Sequence, residues 1–297
     1  MKPAPASKPR PAPSPLVSAA ALKSALAAGA EVVLIDASYD LADLAAGERA
    51  FAHGHVPGAQ YADLGRDLSA PLAPPGPAFT GRHPLPAREA FAATAGRLGI
   101  TPRSCVVAMD RQGGPYAARV WWLLRWIGHS RVWVLDGGVD AWLDAGGRLT
   151  SEPAAIRARG PYPLRPASMP TVDAATLYRR LGVAQVIDAR AAERFRGDVE
   201  PLDPVAGHIP GTLNRPFRDN LEPGSTRFKP GAQLAREFAA IGGGRASAET
   251  VHLCGSGVTA CHNLLAMEAA GLAGAALYPG SWSEWCADPA RPVARGG

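Results

Sequence analysis

The sequence is short of several things, and each shortage narrows what the protein does. It holds four cysteines in 297 residues: Cys105, Cys254, Cys261 and Cys286. None forms a CxxC pair or a Cys/His cluster. That speaks against a zinc module and against a disulfide framework. No metal and no cofactor are expected, and a reducing, cytoplasmic compartment is the simpler setting. No apolar run approaches the roughly 18 residues that span a bilayer, so no membrane role is expected. Charge of one sign is never gathered into blocks. The net charge of +5 is spread along the chain, without a helix–turn–helix, zinc-finger or RNA-binding signature, so nucleic acid is not an expected partner. A mild positive bias does suit a small anionic substrate. Residues 1–15 lack the apolar segment of a secretory signal. Their Pro/Ala-rich, slightly basic composition predicts a disordered tail.

What is present reads as a duplicated globular protein. At 47% hydrophobic and 19% charged residues, the chain is able to bury two ordinary cores. Val33-Leu34-Ile35-Asp36-Ala37-Ser38 matches Val186-Ile187-Asp188-Ala189-Arg190. His55-Val56-Pro57-Gly58 matches His208-Ile209-Pro210-Gly211, and Val106 to Asp110 matches Thr250 to Cys254. The region from Gly138 to Trp142 matches Gly280 to Trp285. The order is the same in both halves, as a tandem repeat requires. Each half alternates strands and helices, which implies an α/β fold with a parallel sheet flanked by helices. In the second half the pattern predicts helices over 172–181 and 231–241, and strands over 186–189, 250–253 and 276–278. The predicted layout is a tail (1–15), a first domain (16–148), a Pro-rich linker (149–170) and a second domain (171–297).

The chemistry concentrates at His252-Leu253-Cys254-Gly255-Ser256-Gly257-Val258-Thr259-Ala260. A β-like run ends in a cysteine, a glycine-containing loop follows, and a helix-like run begins at Thr259. Strand, tight loop and helix N-terminus together make an anion cradle of backbone N–H groups. A cysteine there is expected to be a thiolate near neutral pH and a nucleophile. The first half has Asp110 at the matching position, which cannot act as a sulfur nucleophile. The first domain is therefore expected to be catalytically silent.

Together these residues resemble the tandem-domain rhodanese superfamily over nearly the whole chain. The Cys254-Gly255-Ser256-Gly257-Val258-Thr259 loop is similar to that of its 3-mercaptopyruvate sulfurtransferases. Thiosulfate sulfurtransferases usually carry basic or polar residues after the cysteine. Both His-(Val/Ile)-Pro-Gly turns, Arg119-Val120-Trp121-Trp122, Leu135-Asp136-Gly137-Gly138 and Gly280-Ser281-Trp282-Ser283-Glu284-Trp285 support the resemblance.

The resemblance implies two rhodanese-like domains and sulfur transfer from a small-molecule donor, 3-mercaptopyruvate, through a persulfide on Cys254. A thiol acceptor such as thioredoxin, or cyanide, would remove the outer sulfur. Gly255, Gly257, Val258 and Thr259 would surround it. Arg194, in Glu193-Arg194-Phe195-Arg196-Gly197, would bind the substrate carboxylate by its guanidinium fork. The second arginine that some relatives carry in a Glu-Pro-Arg segment is missing from Glu200-Pro201-Leu202-Asp203, so that contact is absent or Arg196 replaces it. Ser256 and His83 match a relay beside the cysteine, and its aspartate falls near Asp63, although the closest alignment places Gly65 there. Three other readings compete. Thiosulfate sulfurtransferase is weakened by the lack of Lys and Arg from Gly255 to Ala260. A phosphatase or arsenate reductase needs an arginine six residues after the cysteine, where Ala260 stands. A non-enzymatic sulfur carrier would not turn over mercaptopyruvate.

Overall fold

The computed structural model describes residues 14–74, 76, 78–155 and 158–297. Most of the disordered tail expected over 1–15 lies outside the described residues. The first half runs β1 (Leu16–Val17), α1 (Ala19–Ala27), β2 (Val32–Asp36), α2 (Ala46–His53), β3 (Ala59–Tyr61), α3 (Arg88–Arg97), β4 (Cys105–Met109), α4 (Pro115–Trp126), β5 (Val132–Leu135) and α5 (Gly138–Asp144). The second half runs α6 (Ala174–Arg179), β6 (Gln185–Asp188), α7 (Ala192–Arg196), β7 (Leu213–Asn214), α8 (Gly231–Gly242), β8 (Thr250–Leu253), α9 (Thr259–Ala269), β9 (Ala276–Leu277) and α10 (Ser281–Trp285).

The strands form two all-parallel sheets, ordered β1-β5-β4-β2-β3 and β7-β6-β8-β9. The sequences of β2 and β4, Val-Val-Leu-Ile-Asp and Cys-Val-Val-Ala-Met, are nearly unbroken apolar runs. Helices cover both faces of the sheet, so both sets of side chains are buried. On one face Leu34, Val107 and Met109 meet Leu22 and Trp142. On the other, Ile35, Val106 and Ala108 meet Phe91 and Trp121. The two halves have the α/β architecture that the repeat implies.

α4 and α9 pack on each other across the seam between the halves. Both are buried nearly all round, as helices with no polar face must be. Arg125 and Glu268, 3.3 Å apart, pair across that seam. A second-half loop also reaches back, where the Phe228 N–H donates to Asp136 (2.8 Å) and the Thr226 hydroxyl to the Gly137 carbonyl (3.1 Å).

The differences from the expected elements have local causes. α6 begins at Ala174, because Asp173 caps it by accepting from the Thr176 N–H. α7 is five residues long, too short to register a helical period. The Pro-rich segment lies along the first half. The Arg159 N–H donates to Gly96, Tyr162 to Ala92 and Arg165 to Ile127. A Cβ on Gly96 would sit 2.1 Å from the Gly160 carbonyl oxygen, so only glycine lets the segment approach α3 this closely.

Candidate active site

β8 delivers Cys254 to the C-terminal edge of its sheet, where parallel α/β sheets bind ligands. The cysteine is 2% exposed, and its Sγ accepts the Gly257 N–H at 3.1 Å. Gly257 has φ +77, and a Cβ on it would lie 2.3 Å from the Pro279 carbonyl oxygen. No other residue fits there without moving backbone. Two N–H groups from α10, those of Trp282 and Ser283, donate to the carbonyls of Cys254 and Gly255, both at 2.9 Å. The Cys254 N–H donates to the Ser281 hydroxyl (3.1 Å), which donates to the Tyr278 carbonyl (2.9 Å). Ser281, at φ 55, is the single non-glycine residue with positive φ among the described residues.

The first half shows the same cradle with a carboxyl group already in it. One oxygen of Asp110 accepts the N–H groups of Gln112 (2.9 Å) and Gly114 (2.8 Å), and the other those of Tyr116 and Ala117, both at 2.9 Å. By the sequence match between the halves, Gln112, Gly114 and Tyr116 correspond to Ser256, Val258 and Ala260. Asp110 thus occupies the space that Cys254 opens to a ligand.

Cys254, Gly255, Ser256, Val258 and Thr259 line a cavity of ≈ 180 Å³. Leu41, Arg82 and Tyr116 of the first half and Arg190, Arg194, Leu202 and Phe217 of the second complete it. Its walls therefore carry three guanidinium groups, although none belongs to the loop. Arg82 bonds Asp203 through two nitrogens, at 2.9 and 3.2 Å. Arg194 bonds Glu200 at 2.6 Å and Asp203 at 3.3 Å. Arg190 bonds Asp188 at 2.7 Å, reaches Glu200 at 3.4 Å, and stacks over Trp282. Three arginines and three carboxylates balance. The guanidinium of Arg82 comes closest to the loop: its Nη2 lies 3.0 Å from where a Cβ on Gly255 would be, with the Arg194 nitrogens at 3.5 and 3.6 Å.

His83 enters from the first half, and its Nδ1 is 2.7 Å from the Ser256 Oγ. Burial, aided by the neighbouring charges of Arg82 and Arg119, pushes the imidazole pKa down to about 3. The ring is therefore neutral at ordinary pH. Asp63 does not reach it. Its carboxylate accepts the N–H groups of Gly65 (2.9 Å) and Arg66 (2.8 Å). Among the described residues His83 makes no bond to a carboxylate. Arg196 also lies apart from the cavity, on the exposed side of α7, paired with Asp198 at 2.7 Å.

The other thiols are differently placed. The Cys261 thiol is fully buried and donates to the Gly257 carbonyl at 3.4 Å. Burial pushes it up to about 12, and Cys286 up to about 11. Cys105 sits beside Arg131. All four cysteines are free.

Of the site residues that the sequence suggests, Cys254, Ser256 and Arg194 line one cavity, and His83 stands behind it, bonded to Ser256. Sequence reasoning misses Arg82, Arg190, Glu200 and Asp203. The available signals were adjacency to His83 and the Asp-Ala-Arg strand end.

Known proteins match the chain over both halves. The rhodanese-like domain model matches residues 18–145 and 173–288. A probable 3-mercaptopyruvate sulfurtransferase of Pseudomonas aeruginosa is 47% identical over 90% of this chain and 93% of its own length. The human 3-mercaptopyruvate sulfurtransferase is 38% identical, covering 91% of each chain. A putative thiosulfate sulfurtransferase of Mycobacterium tuberculosis is also 38% identical, over 95% of this chain and 97% of its own. Among solved structures, a 3-mercaptopyruvate sulfurtransferase of Escherichia coli is similar with a TM-score of 0.75 at 29% identity, covering 91% of this chain and 100% of that one. With one domain match in each half and relatives aligned along nearly the whole chain, the protein belongs to the rhodanese family, as a tandem of two rhodanese-like domains.

Proposed function

We propose that this sulfurtransferase takes sulfur from 3-mercaptopyruvate, holds it as a persulfide on Cys254, and passes it to a thiol such as that of thioredoxin, or to cyanide. The observation that carries the reading is the cysteine sulfur at the foot of an anion cradle, facing a cavity whose wall charges balance. In this reading the Cys254 thiolate attacks the donor sulfur. An S–S bond forms and the C–S bond breaks. The electron pair leaves on carbon as pyruvate enolate, which takes a proton at C3. The proton comes from the donor thiol, so thiolate plus mercaptopyruvate becomes persulfide plus pyruvate. Ser256 relays it, with neutral His83 as its hydrogen-bond partner.

The outer sulfur then takes the place that the carboxyl oxygens of Asp110 hold in the first cradle, facing the amides of Ser256, Val258 and Ala260. Arg82 and Arg194 receive the substrate carboxylate above Gly255. This gives the missing Glu-Pro-Arg arginine a replacement from the other domain, in place of Arg196. The first domain (16–148) supplies walls and partners, the second (171–297) supplies the nucleophile, and 149–170 joins them. A reducing, cytoplasmic setting goes with a thiolate nucleophile and a thiol acceptor.

Thiosulfate is the rival donor, since three guanidiniums line the cavity. Each already has a carboxylate, so a dianion meets no net positive charge there. Steady-state assays with both donors should show mercaptopyruvate preferred by at least about tenfold in kcat/KM, or ~1.4 kcal/mol. Equal use of thiosulfate would refute the donor assignment. A persulfide found by mass spectrometry on another cysteine would refute the mechanism.

A further inference from the structure

Every guanidinium that faces Cys254 through the cavity has a carboxylate partner; Arg119 has none among the described residues. It rises from α4 of the first domain and is 0% exposed. Its guanidinium donates to four carbonyl contacts, Gly257 at 3.1 Å, His83 at 3.2 Å, and Leu68 at 3.3 and 3.4 Å, and it also lies against the Cys261 thiol. Arginine keeps its proton in proteins, and a buried charge without a counter-ion is costly. The site therefore calls for an anion. The Cys261 thiol spends its proton on the Gly257 carbonyl, so it serves there as a neutral donor, and burial pushes its pKa up to about 12. Cys254 is the other sulfur at this point. Gly257 offers its N–H to the Cys254 Sγ and its carbonyl to Arg119, so the two groups hold one residue from opposite sides.

We infer that Arg119 is the counter-ion of Cys254: a positioning residue, contributed by the domain that lacks a nucleophile, that favours the thiolate through Gly257 and fixes His83 by its backbone. It touches no reacting atom. This inference rests on the reading of Cys254 as the nucleophile. It gives the Arg119-Val120-Trp121-Trp122 segment a function beyond packing. The other charged groups around the cysteine are Arg82, Arg190 and Arg194 with Asp203, Asp188 and Glu200. They lie on the cavity side and are unchanged in the variants below.

The test is the pH dependence of Cys254 alkylation by iodoacetamide in the full chain, read by peptide mass spectrometry without any sulfur donor. The rate follows the thiolate fraction. Arg119→Gln should raise the midpoint by about one unit or more, slowing alkylation about tenfold below the midpoint. Arg119→Lys keeps the charge and should stay within about 0.3 units of the native midpoint. A scaffold role alone would move both variants together. A native midpoint in the Gln variant, or equal shifts in both, overturns the inference. If the Gln variant does not fold, the Lys variant decides: an unchanged midpoint supports the inference and a rise of about one unit overturns it. A native protein whose Cys254 is unreactive up to about pH 9 would instead overturn the nucleophile reading itself.

Discussion

Arg82→Ala should weaken mercaptopyruvate binding strongly while leaving the chemical step almost intact. Two terms set the magnitude. The first is a lost charge-assisted hydrogen bond to the substrate carboxylate, worth about 1.5–3 kcal/mol. The second is the charge balance of the wall. Without Arg82, two arginines face three carboxylates, and Asp203 keeps only its 3.3 Å contact to Arg194. A net negative charge about 6 Å from an anionic substrate costs on the order of 2–3 kcal/mol at an effective dielectric of about 20. The two terms overlap, because the hydrogen bond is itself largely Coulombic. The expected rise in KM is therefore roughly 30- to 150-fold. A carboxylate contact made equally in ground and transition states acts on KM and not on kcat.

Adding Asp203→Asn to Arg82→Ala separates the terms. It restores the balance of two arginines and two carboxylates and should recover part of the loss, whereas the hydrogen bond stays missing. Steady-state kinetics of the native protein and the two variants, at one ionic strength, read both effects. A KM within about twofold of native in Arg82→Ala would show that the carboxylate binds elsewhere. A fall in kcat alone would mean that Arg82 acts through its neighbour His83.

Three further outcomes follow from the geometry. Cys254→Ser should abolish sulfur transfer and the persulfide, whereas Cys261→Ser and Cys286→Ser should retain both; persulfide loss in either of the latter would move the nucleophile. Gly257→Ala must place a Cβ 2.3 Å from the Pro279 carbonyl at positive φ, so thermal denaturation should show at least about 2 kcal/mol of lost stability; an unchanged melting temperature would refute the packing argument. Acid should destabilise the fold early, because burial pushes His83, His252 and His262 down to about 3 and His129 to about 4. Unfolding returns them to about 6.5, so the unfolded chain binds more protons between these values, and stability is whole above pH 6.5 and lost as pH falls. The slope reaches at most ~1.4 kcal/mol per pH unit for each histidine, and denaturant titrations that give equal stability at pH 7 and pH 5 would contradict it.

How much of this could be read from the sequence depended on the range of the physics involved. The repeat, the strand ending at Cys254 and the glycine loop are local patterns, and they lead to the right sheet edge. His83 is far from Cys254 in the chain, and only likeness to relatives connected them. Arg82 shows the limit. The sequence singles out its neighbour His83 and passes over Arg82, because nothing in a local pattern says that it crosses the seam to Asp203. Arg196 shows the converse. It stands two residues from Arg194, yet in a helix of five residues that spacing turns it away from Arg194's face, toward Asp198. The absence of cations from Gly255 to Ala260 was a true statement about the loop and an incomplete one about the cavity, whose charges arrive from three other segments.

On the proposed function, the two cradles divide the work between the halves. A loop of inward N–H groups at a helix N-terminus is unfavourable when empty, because buried donors need partners. The first half satisfies its donors permanently with Asp110, whose four hydrogen bonds make that loop a finished structural part. The second half places a sulfur there, shows one N–H bond to it, and keeps room above it. That loop is held open from outside. α10 fixes the carbonyls of Cys254 and Gly255, and the first domain sends Arg82, His83 and Arg119 across the seam to the wall, to Ser256 and to Gly257. A single rhodanese-like domain would have the cysteine and the cradle but none of these three. On the proposed function, the two halves meet separately two demands that conflict in one loop: a rigid, satisfied support, and an anion site free to gain and lose a sulfur atom.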